Sequence, residues 1–96
     1  DVYKRQVPVV DEEGRLIGVI TAGDLTRYAA DHPDFMEHSV REVMNASPRT
    51  VGEDVLAAEA LADLRRHGIM ALPVVDGEGG LKGIVHLHDL MRSGVV

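Results

Sequence analysis

The chain has 96 residues, of which 45% are hydrophobic, and its formal net charge is −6 at pH 7. This length suits one small domain or a piece of one, and an acidic chain without a basic stripe argues against nucleic acid as a partner. Because cysteine is absent, the sequence offers no disulfide, thiolate metal site or cysteine nucleophile, which suits a cytoplasmic protein. No apolar run approaches the ~20 residues of a membrane span, and we expect neither a span nor a signal peptide.

The first half of the chain opens on a predicted β-hairpin. Val7–Val10 and Leu16–Thr21 are short apolar runs rich in β-branched residues. Asp11–Arg15 joins them and contains Gly14, which is free to adopt a positive φ. Two such runs joined by a short loop with glycine predict an antiparallel pair of strands.

A helix is predicted to follow this hairpin. Asp24 has a side chain typical of a helix N-cap. The helix should end near Asp31, because Pro33 disfavours helix in the residue before it. The residues expected on its inner face are Leu25 and either Tyr28 or Ala29.

Residues 32–38 are predicted to link two halves of the chain. Ser39 and Glu42 have the spacing of a capping box, which predicts a short helix over Val40–Met44. A loop over residues 45–49 and a brief strand at Thr50–Val51 should follow. The second half of the chain therefore opens on a strand.

The longest predicted helix spans Asp54–His67. Acidic residues stand at its positive end, basic residues fill its last turn, and Gly68 follows as a C-cap, so the charges complement the helix dipole. The apolar residues at i, i+4 and i+7 form the expected buried stripe. These residues are Ala57, Leu61 and Leu64.

The remaining segments repeat the first hairpin and helix at an offset of 65 residues. Leu72–Asp76 and Leu81–His86 are the predicted strands, and Asp89–Ser93 is the predicted helix. Between Pro8–Arg27 and Pro73–Arg92, 11 of 20 positions are identical. Such density indicates two copies of one supersecondary unit.

The second copy is a complete β-α-β-β-α unit, whereas the first contains only the last β-β-α. We therefore expect an α/β (α+β) fold in which each complete copy forms a mixed three-stranded sheet with helices on one face. We interpret residues 1–6 as a foreign or frayed end, residues 7–38 as the truncated first repeat with the linker, and residues 39–96 as the complete second repeat.

Two such units, each ending in Gly-x-x-Thr-x-x-Asp-Leu or a close variant, resemble cystathionine-β-synthase (CBS) domains. The resemblance implies a pair of repeats packed about a pseudo-twofold axis, with clefts that bind adenosine-type nucleotides. It also implies a module that regulates an attached enzyme or transporter. The positions that match the motif, and that we predict to contact the ligand, are Gly18, Thr21 and Asp24 in the first copy and Gly83, His86 and Asp89 in the second.

The chemistry of these residues supports a nucleotide independently of the resemblance. A hydroxyl at Thr21 and N–H groups at a helix N-terminus suit a phosphate, and the Asp24 carboxylate can accept two hydrogen bonds from a ribose diol. The alternative is that Asp24 is simply an N-cap and Thr21 a strand end. In the second copy His86 replaces the hydroxyl residue, which weakens the case for a phosphate there, although Asp89 is retained.

His86 and His88 also suggest an alternative hypothesis, a metal-binding site. Residues i and i+2 share a face on a strand, and Asp89 or His67 could complete a ligand set. However, zinc sites need three or four protein ligands and only two are spaced convincingly here. Strand geometry should also break before His88, where the last helix begins.

Three segments resemble D-arabinose-5-phosphate isomerases of the KpsF/GutQ type: Ser39–Met44, Val55–Leu61 and the tail His86–Val96. Ala22 departs from that family, which often has Asp at this position. The resemblance implies an N-terminal sugar-isomerase domain as partner, which interconverts D-ribulose 5-phosphate and D-arabinose 5-phosphate for lipopolysaccharide synthesis. No catalytic residue can be carried over to this chain, because the matching segment is missing from it.

We therefore expect a regulatory, ligand-sensing module without catalytic activity of its own, acting in a homo-oligomer. One alternative is a structural oligomerisation module, and another is a stand-alone CBS protein. A free-standing catalyst is disfavoured, because the sequence has no glycine-rich phosphate loop and no nucleophile elbow.

Overall fold

The computed structural model describes residues 6–92, which form two compact units. The first unit ends at Pro48 and the second begins at Arg49. The structure thus groups residues 39–48 with the first unit by their contacts, while the division of the sequence into repeats at residue 39 stays a prediction. In the part of the chain that is described, no helix is long and apolar enough to cross a membrane.

The first unit contains a two-stranded antiparallel hairpin followed by helices. Its elements are β1 (Gln6–Val10), β2 (Leu16–Thr21), α1 (Ala22–Asp31), a 3₁₀ turn (Phe35–Glu37) and α2 (Val40–Val43). The predicted hairpin and the end of α1 at Asp31 are confirmed. The predicted capping box is also confirmed, since the Glu42 carboxylate accepts a hydrogen bond from the Ser39 N–H at 3.0 Å.

Two expectations for this unit were wrong. Gln6, which we assigned to a foreign or frayed end, is not frayed, because it is the first residue of β1 and lies opposite Thr21. The rest of that predicted end, residues 1–5, lies outside the described residues. Leu25 is 41% exposed instead of facing inward. Tyr28 and Ala29 are half-buried, so the inner face of α1 runs through these two residues.

The second unit is a mixed three-stranded sheet with two helices. Its elements are β3 (Val51–Gly52), α3 (Ala57–His67), β4 (Ala71–Val75), β5 (Leu81–His86) and α4 (Leu87–Arg92). The strand order is β3-β4-β5, with β3 parallel to β4 and β5 antiparallel to it. This confirms the predicted sheet and the α+β class. Ser93, predicted as the end of the last helix, lies outside the described residues.

Helix α3 begins three residues later than predicted, at Ala57, with Leu56 as an N-cap that makes no side-chain capping bond. Residues 53 and 54 form a turn before it. Its end is as predicted, because Gly68 caps it in the left-handed conformation with a φ of +62°. Ala57 is exposed in the first turn, and Ala60 takes its place in the stripe beside Leu61 and Leu64.

The core of the second unit lies between α3 and the sheet. Leu64 and Leu72 are fully buried there, with Val51 and Ala60 beside them. Five half-buried apolar residues pack against this cluster: Ile69, Val74, Val85, Leu87 and Leu90. Burial of such aliphatic side chains stabilises the fold by about 1.5–3 kcal/mol each.

The two hairpins have the same register at the 65-residue offset. Gln6 pairs with Thr21 as Ala71 pairs with His86, and each first strand has a register shift at its last two valines. The glycine in each turn has a positive φ, +83° at Gly14 and +85° at Gly79. The internal repeat therefore extends to the hydrogen-bond pattern of the backbone.

An aspartate organises each turn in the same way. Asp11 Oδ1 accepts from the N–H groups of Glu13 and Arg15 at 2.9 and 3.0 Å. Asp76 Oδ1 accepts from Glu78 and Gly80 at 2.9 and 2.8 Å. These backbone donors, above all Arg15 and Gly80, lower the pKa of both carboxyl groups from the ordinary value of 3.8.

The lowered pKa values predict a stability loss in acid. The contribution of the two charged carboxylates is fully present above the unfolded value of about 3.8 and is lost as the pH falls through the folded values. A variant carrying Asp11→Asn and Asp76→Asn should melt at a lower temperature than the unsubstituted chain at pH 7, and the gap should shrink below pH ~3.8. Circular dichroism melts at several pH values measure this. Glu12→Gln, at an exposed neighbour, is the control, and a gap that does not change with pH would contradict the prediction.

Candidate functional site

Thr21 and Asp24 meet where β2 runs into α1. Thr21 is the N-cap of the helix, and its Oγ1 accepts from the Asp24 N–H at 3.1 Å. Asp24 occupies the third helical position, and its Oδ2 accepts from the Thr21 N–H at 2.9 Å. The prediction that Asp24 itself caps the helix was therefore wrong. The two side chains form a reciprocal capping box, which holds hydroxyl and carboxylate side by side.

Arg27 completes this arrangement. Its Nη2 donates to Asp24 Oδ1 at 2.7 Å, so each carboxylate oxygen has one donor from the protein and keeps a further lone pair. The Arg27 side chain is 74% exposed, whereas that of Asp24 is 22% exposed. Sequence reasoning missed Arg27, although its identity with Arg92 in the second copy was a signal.

Gly18, predicted from the motif as a ligand contact, lies where two backbone segments approach closely. A Cβ at this position would come within 2.5 Å of Met44 Sδ and 2.8 Å of the Asn45 carbonyl oxygen. The contact exists because Asn45 pairs with Val19 of β2 through two backbone hydrogen bonds of 3.0 and 2.8 Å. Sequence reasoning assigned Asn45 to a plain loop and so missed this bridge.

The second copy differs in the surroundings of its glycine and in the residue that ends its strand. Gly83 is exposed, and a Cβ there would meet nothing within 4 Å. His86 ends β5, and its Nδ1 accepts from the His88 N–H at 3.2 Å. Asp89 in α4 forms an ion pair with Arg92. The acid–arginine pair is thus common to both copies, while the capping group changes from a hydroxyl to an imidazole.

The described residues around His86 and His88 provide too few ligands for the metal site that their spacing suggested. His86 and His88 have ring centroids 5.1 Å apart. The strand ends before His88, as predicted, but α4 begins at Leu87, two residues before the predicted start at Asp89. Among residues 6–92, no three side chains of the metal-binding types converge to hold an ion. Two ligands are too few for a typical zinc site.

An aromatic and histidine cluster fixes the end of α1 to the segment that follows. Tyr28 stacks on His32 with centroids 3.9 Å apart, and its hydroxyl hydrogen-bonds to His38 Nδ1 at 2.5 Å. His38 Nε2 lies 3.2 Å from Asp34, a hydrogen bond that lowers the pKa of that carboxyl. Burial, aided by the charges of Glu42 and Asp34, raises the pKa of the Tyr28 hydroxyl. The tyrosine therefore stays protonated at neutral pH.

The family model of the CBS domain matches residues 2–31 and 40–95. The chain belongs to the CBS domain family. The match in two segments agrees with the two copies, and the chain is a CBS domain pair.

Curated relatives of this CBS chain include two classes of enzyme. Arabinose 5-phosphate isomerase KdsD of Pseudomonas aeruginosa is 40% identical over 88 residues, which are 92% of this chain and 27% of the relative. Inosine-5'-monophosphate dehydrogenase of Mycobacterium tuberculosis strain H37Rv is 42% identical over 88 residues, which are 91% of this chain and 16% of the relative. The chain therefore spans about a quarter or less of the length of these relatives.

Among solved structures, CBSX2 in complex with AMP is similar to this CBS chain, with a TM-score of 0.80 and 26% identity. The similarity covers 94% of this chain and 70% of that one. In CBSX2, a protein with the fold that the sequence predicted here, this fold is seen in complex with AMP.

Proposed function

We propose that this CBS pair is a regulatory module that binds an adenosine-type nucleotide. The observation that carries the proposal is the reciprocal Thr21–Asp24 capping box at the β2–α1 junction, in a chain similar to a CBS protein in complex with AMP. The same junction that stabilises the helix presents the groups that a ribose and a phosphate require.

Each group at this junction can bind a different part of the nucleotide. The Asp24 carboxylate is an acceptor with a lone pair left on each oxygen, so it can accept hydrogen bonds from the two hydroxyls of a ribose. The Thr21 hydroxyl accepts from the Asp24 N–H and can still donate its own proton to a phosphate oxygen. The amide N–H groups of the first turn of α1 add favourable electrostatics for an anion. Gly18 lies in β2, three residues before Thr21. It supports the proposed site indirectly, because it allows Met44 and Asn45 to lie against the strand that ends at Thr21.

In the second copy, Gly83, His86 and Asp89 are the proposed counterparts. Asp89 offers the same acceptor for a ribose. A neutral imidazole at His86 donates one hydrogen bond, and a protonated one can meet an anion. We propose that this half binds a nucleotide with a different preference from the first half.

We further propose that the module regulates a sugar-phosphate isomerase domain in the same polypeptide, within a cytoplasmic homo-oligomer. The similarity to arabinose 5-phosphate isomerase over 92% of this chain supports this parent. A ligand regulates such a protein only if it binds one arrangement of the module more tightly than another. The catalysis would then belong to the isomerase domain, and the CBS pair would have none.

A structural role in oligomerisation is the second candidate. It is favoured by the exposed apolar side chains of Met36, Val40 and Leu56, since exposed apolar surface marks contact sites between proteins. This candidate predicts assembly without any response to nucleotides.

Isothermal titration of AMP into the chain tests the proposed site. Asp24→Asn and Thr21→Val should each weaken AMP binding about 10- to 100-fold, the effect of losing a hydrogen bond to a charged group. Asp63→Asn is a matched control, because Asp63 also pairs with an arginine three residues later, Arg66, but on α3. If both site variants bind AMP as well as the control does, the proposed site is wrong. If the oligomeric state of every variant is the same with and without AMP, the structural role is favoured.

A further inference from the structure

Two functional groups, the Arg27 guanidinium and the Thr21 hydroxyl, lie close to the position that a Cβ of Gly23 would take. A Cβ built on Gly23 would lie 3.2 Å from Arg27 Nη1 and 3.6 Å from Thr21 Oγ1. The same guanidinium donates to Asp24 Oδ1 at 2.7 Å. Arg27 therefore folds back toward the N-terminus of α1, in keeping with the direction of helical side chains. Its charge lies beside the hydroxyl and the carboxylate of the proposed site.

Gly23 provides the space for this guanidinium. At 3.2 Å, a methyl group would make a tighter contact than most real Cβ atoms show, so the guanidinium would have to move by a few tenths of an ångström. The equivalent residue in the second copy is His88, whose ring packs at its edge against His86. Both copies keep the acid–arginine pair, Asp24 with Arg27 and Asp89 with Arg92, but only the first keeps a glycine beside it.

A carboxylate that binds a ribose is a poor neighbour for a phosphate, because like charges repel. Arg27 offsets the charge of Asp24 and adds a planar donor group suited to phosphate oxygens. Its side chain is 74% exposed, and an exposed ion pair is weak. The guanidinium can therefore turn toward a ligand at little cost while it stays beside Asp24.

We propose that Arg27, in the space left by Gly23, determines the specificity of the first site for phosphate-bearing nucleotides over uncharged nucleosides. This inference rests on the proposed nucleotide site and adds its charge selectivity. Arg27 contacts the phosphate, whereas Asp24 contacts the ribose. The second site, where His88 replaces the glycine, has a different preference between nucleotides and nucleosides.

The test compares adenosine with AMP by isothermal titration into the full 96-residue chain. In Arg27→Gln the ratio of the adenosine Kd to the AMP Kd should fall about tenfold, whereas Arg27→Lys should keep most of the preference. Gly23→Ala should lower the ratio in the same direction. Arg66→Gln removes the matched pair on α3 and should leave the ratio unchanged. Circular dichroism melts establish that each variant is folded. We expect the Arg27 variants to fold, because the Arg27 side chain is mostly exposed.

The outcomes separate this inference from the proposed function. If Asp24→Asn weakens both ligands while Arg27→Gln leaves their ratio unchanged, the nucleotide site stands and the role of Arg27 is overturned. An equal loss of both ligands in Arg27→Gln also overturns it, because the arginine would then support the site without selecting charge. If the unsubstituted chain binds neither adenosine nor AMP, both proposals fail.

Discussion

Leu72→Ala is expected to lower the free energy of unfolding by about 2–5 kcal/mol, the cost of deleting a large side chain from a packed core. Leu72 is 0% exposed and lies in the cluster with Val51, Ala60 and Leu64. Val7, the equivalent residue of the first copy, is 62% exposed. Val7→Ala should therefore cost no more than about 0.5 kcal/mol, as surface substitutions do.

Urea unfolding followed by circular dichroism measures both variants. The m-values should match that of the unsubstituted chain, so that a change in midpoint reports stability. The reason for the asymmetry lies in what covers each strand. In the second unit β3 pairs with β4, whereas in the described part of the first unit β1 pairs only with β2. Equal losses at the two positions would show that the first hairpin is covered in solution as fully as the second.

Gly18→Ala should destabilise the protein by about 1–3 kcal/mol, the usual cost of overpacking. The added methyl would overlap Met44 and the backbone carbonyl of Asn45, and the backbone atom cannot yield without breaking the bridge to Val19. Gly83→Ala is the matched change in the second copy. It should be neutral or stabilising by up to ~1 kcal/mol, because the position is open and alanine restricts the unfolded chain.

Thermal and urea unfolding of the two glycine variants, side by side, provide the measurement. Both positions belong to the same motif and have the same place in their hairpins, so sequence alone predicts equal effects. A Gly18→Ala variant as stable as Gly83→Ala would mean that the Met44–Asn45 segment does not lie against β2 in solution.

The sequence by itself determined the two hairpins, their turns and the family. Pro8–Arg27 and Pro73–Arg92 share the residues that govern local hydrogen bonding, and the structure gives both the same register and the same Asp-centred turn. Gly68, which closes α3, and the pair Ser39–Glu42, which opens α2, were predictable for the same reason. These features depend on neighbours within a few positions of the chain, so residue type and spacing suffice to specify them.

Only the tertiary structure decided which positions are covered and which side chains meet. Gly18 is crowded and Gly83 is open because Asn45, 27 residues further along the chain, bridges to β2 in one copy. The place of Arg27 beside Thr21 and Asp24 likewise depends on side-chain direction and on the space over Gly23. Burial and side-chain convergence depend on segments far apart in sequence, and a local pattern that is nearly identical in two copies cannot distinguish their surroundings.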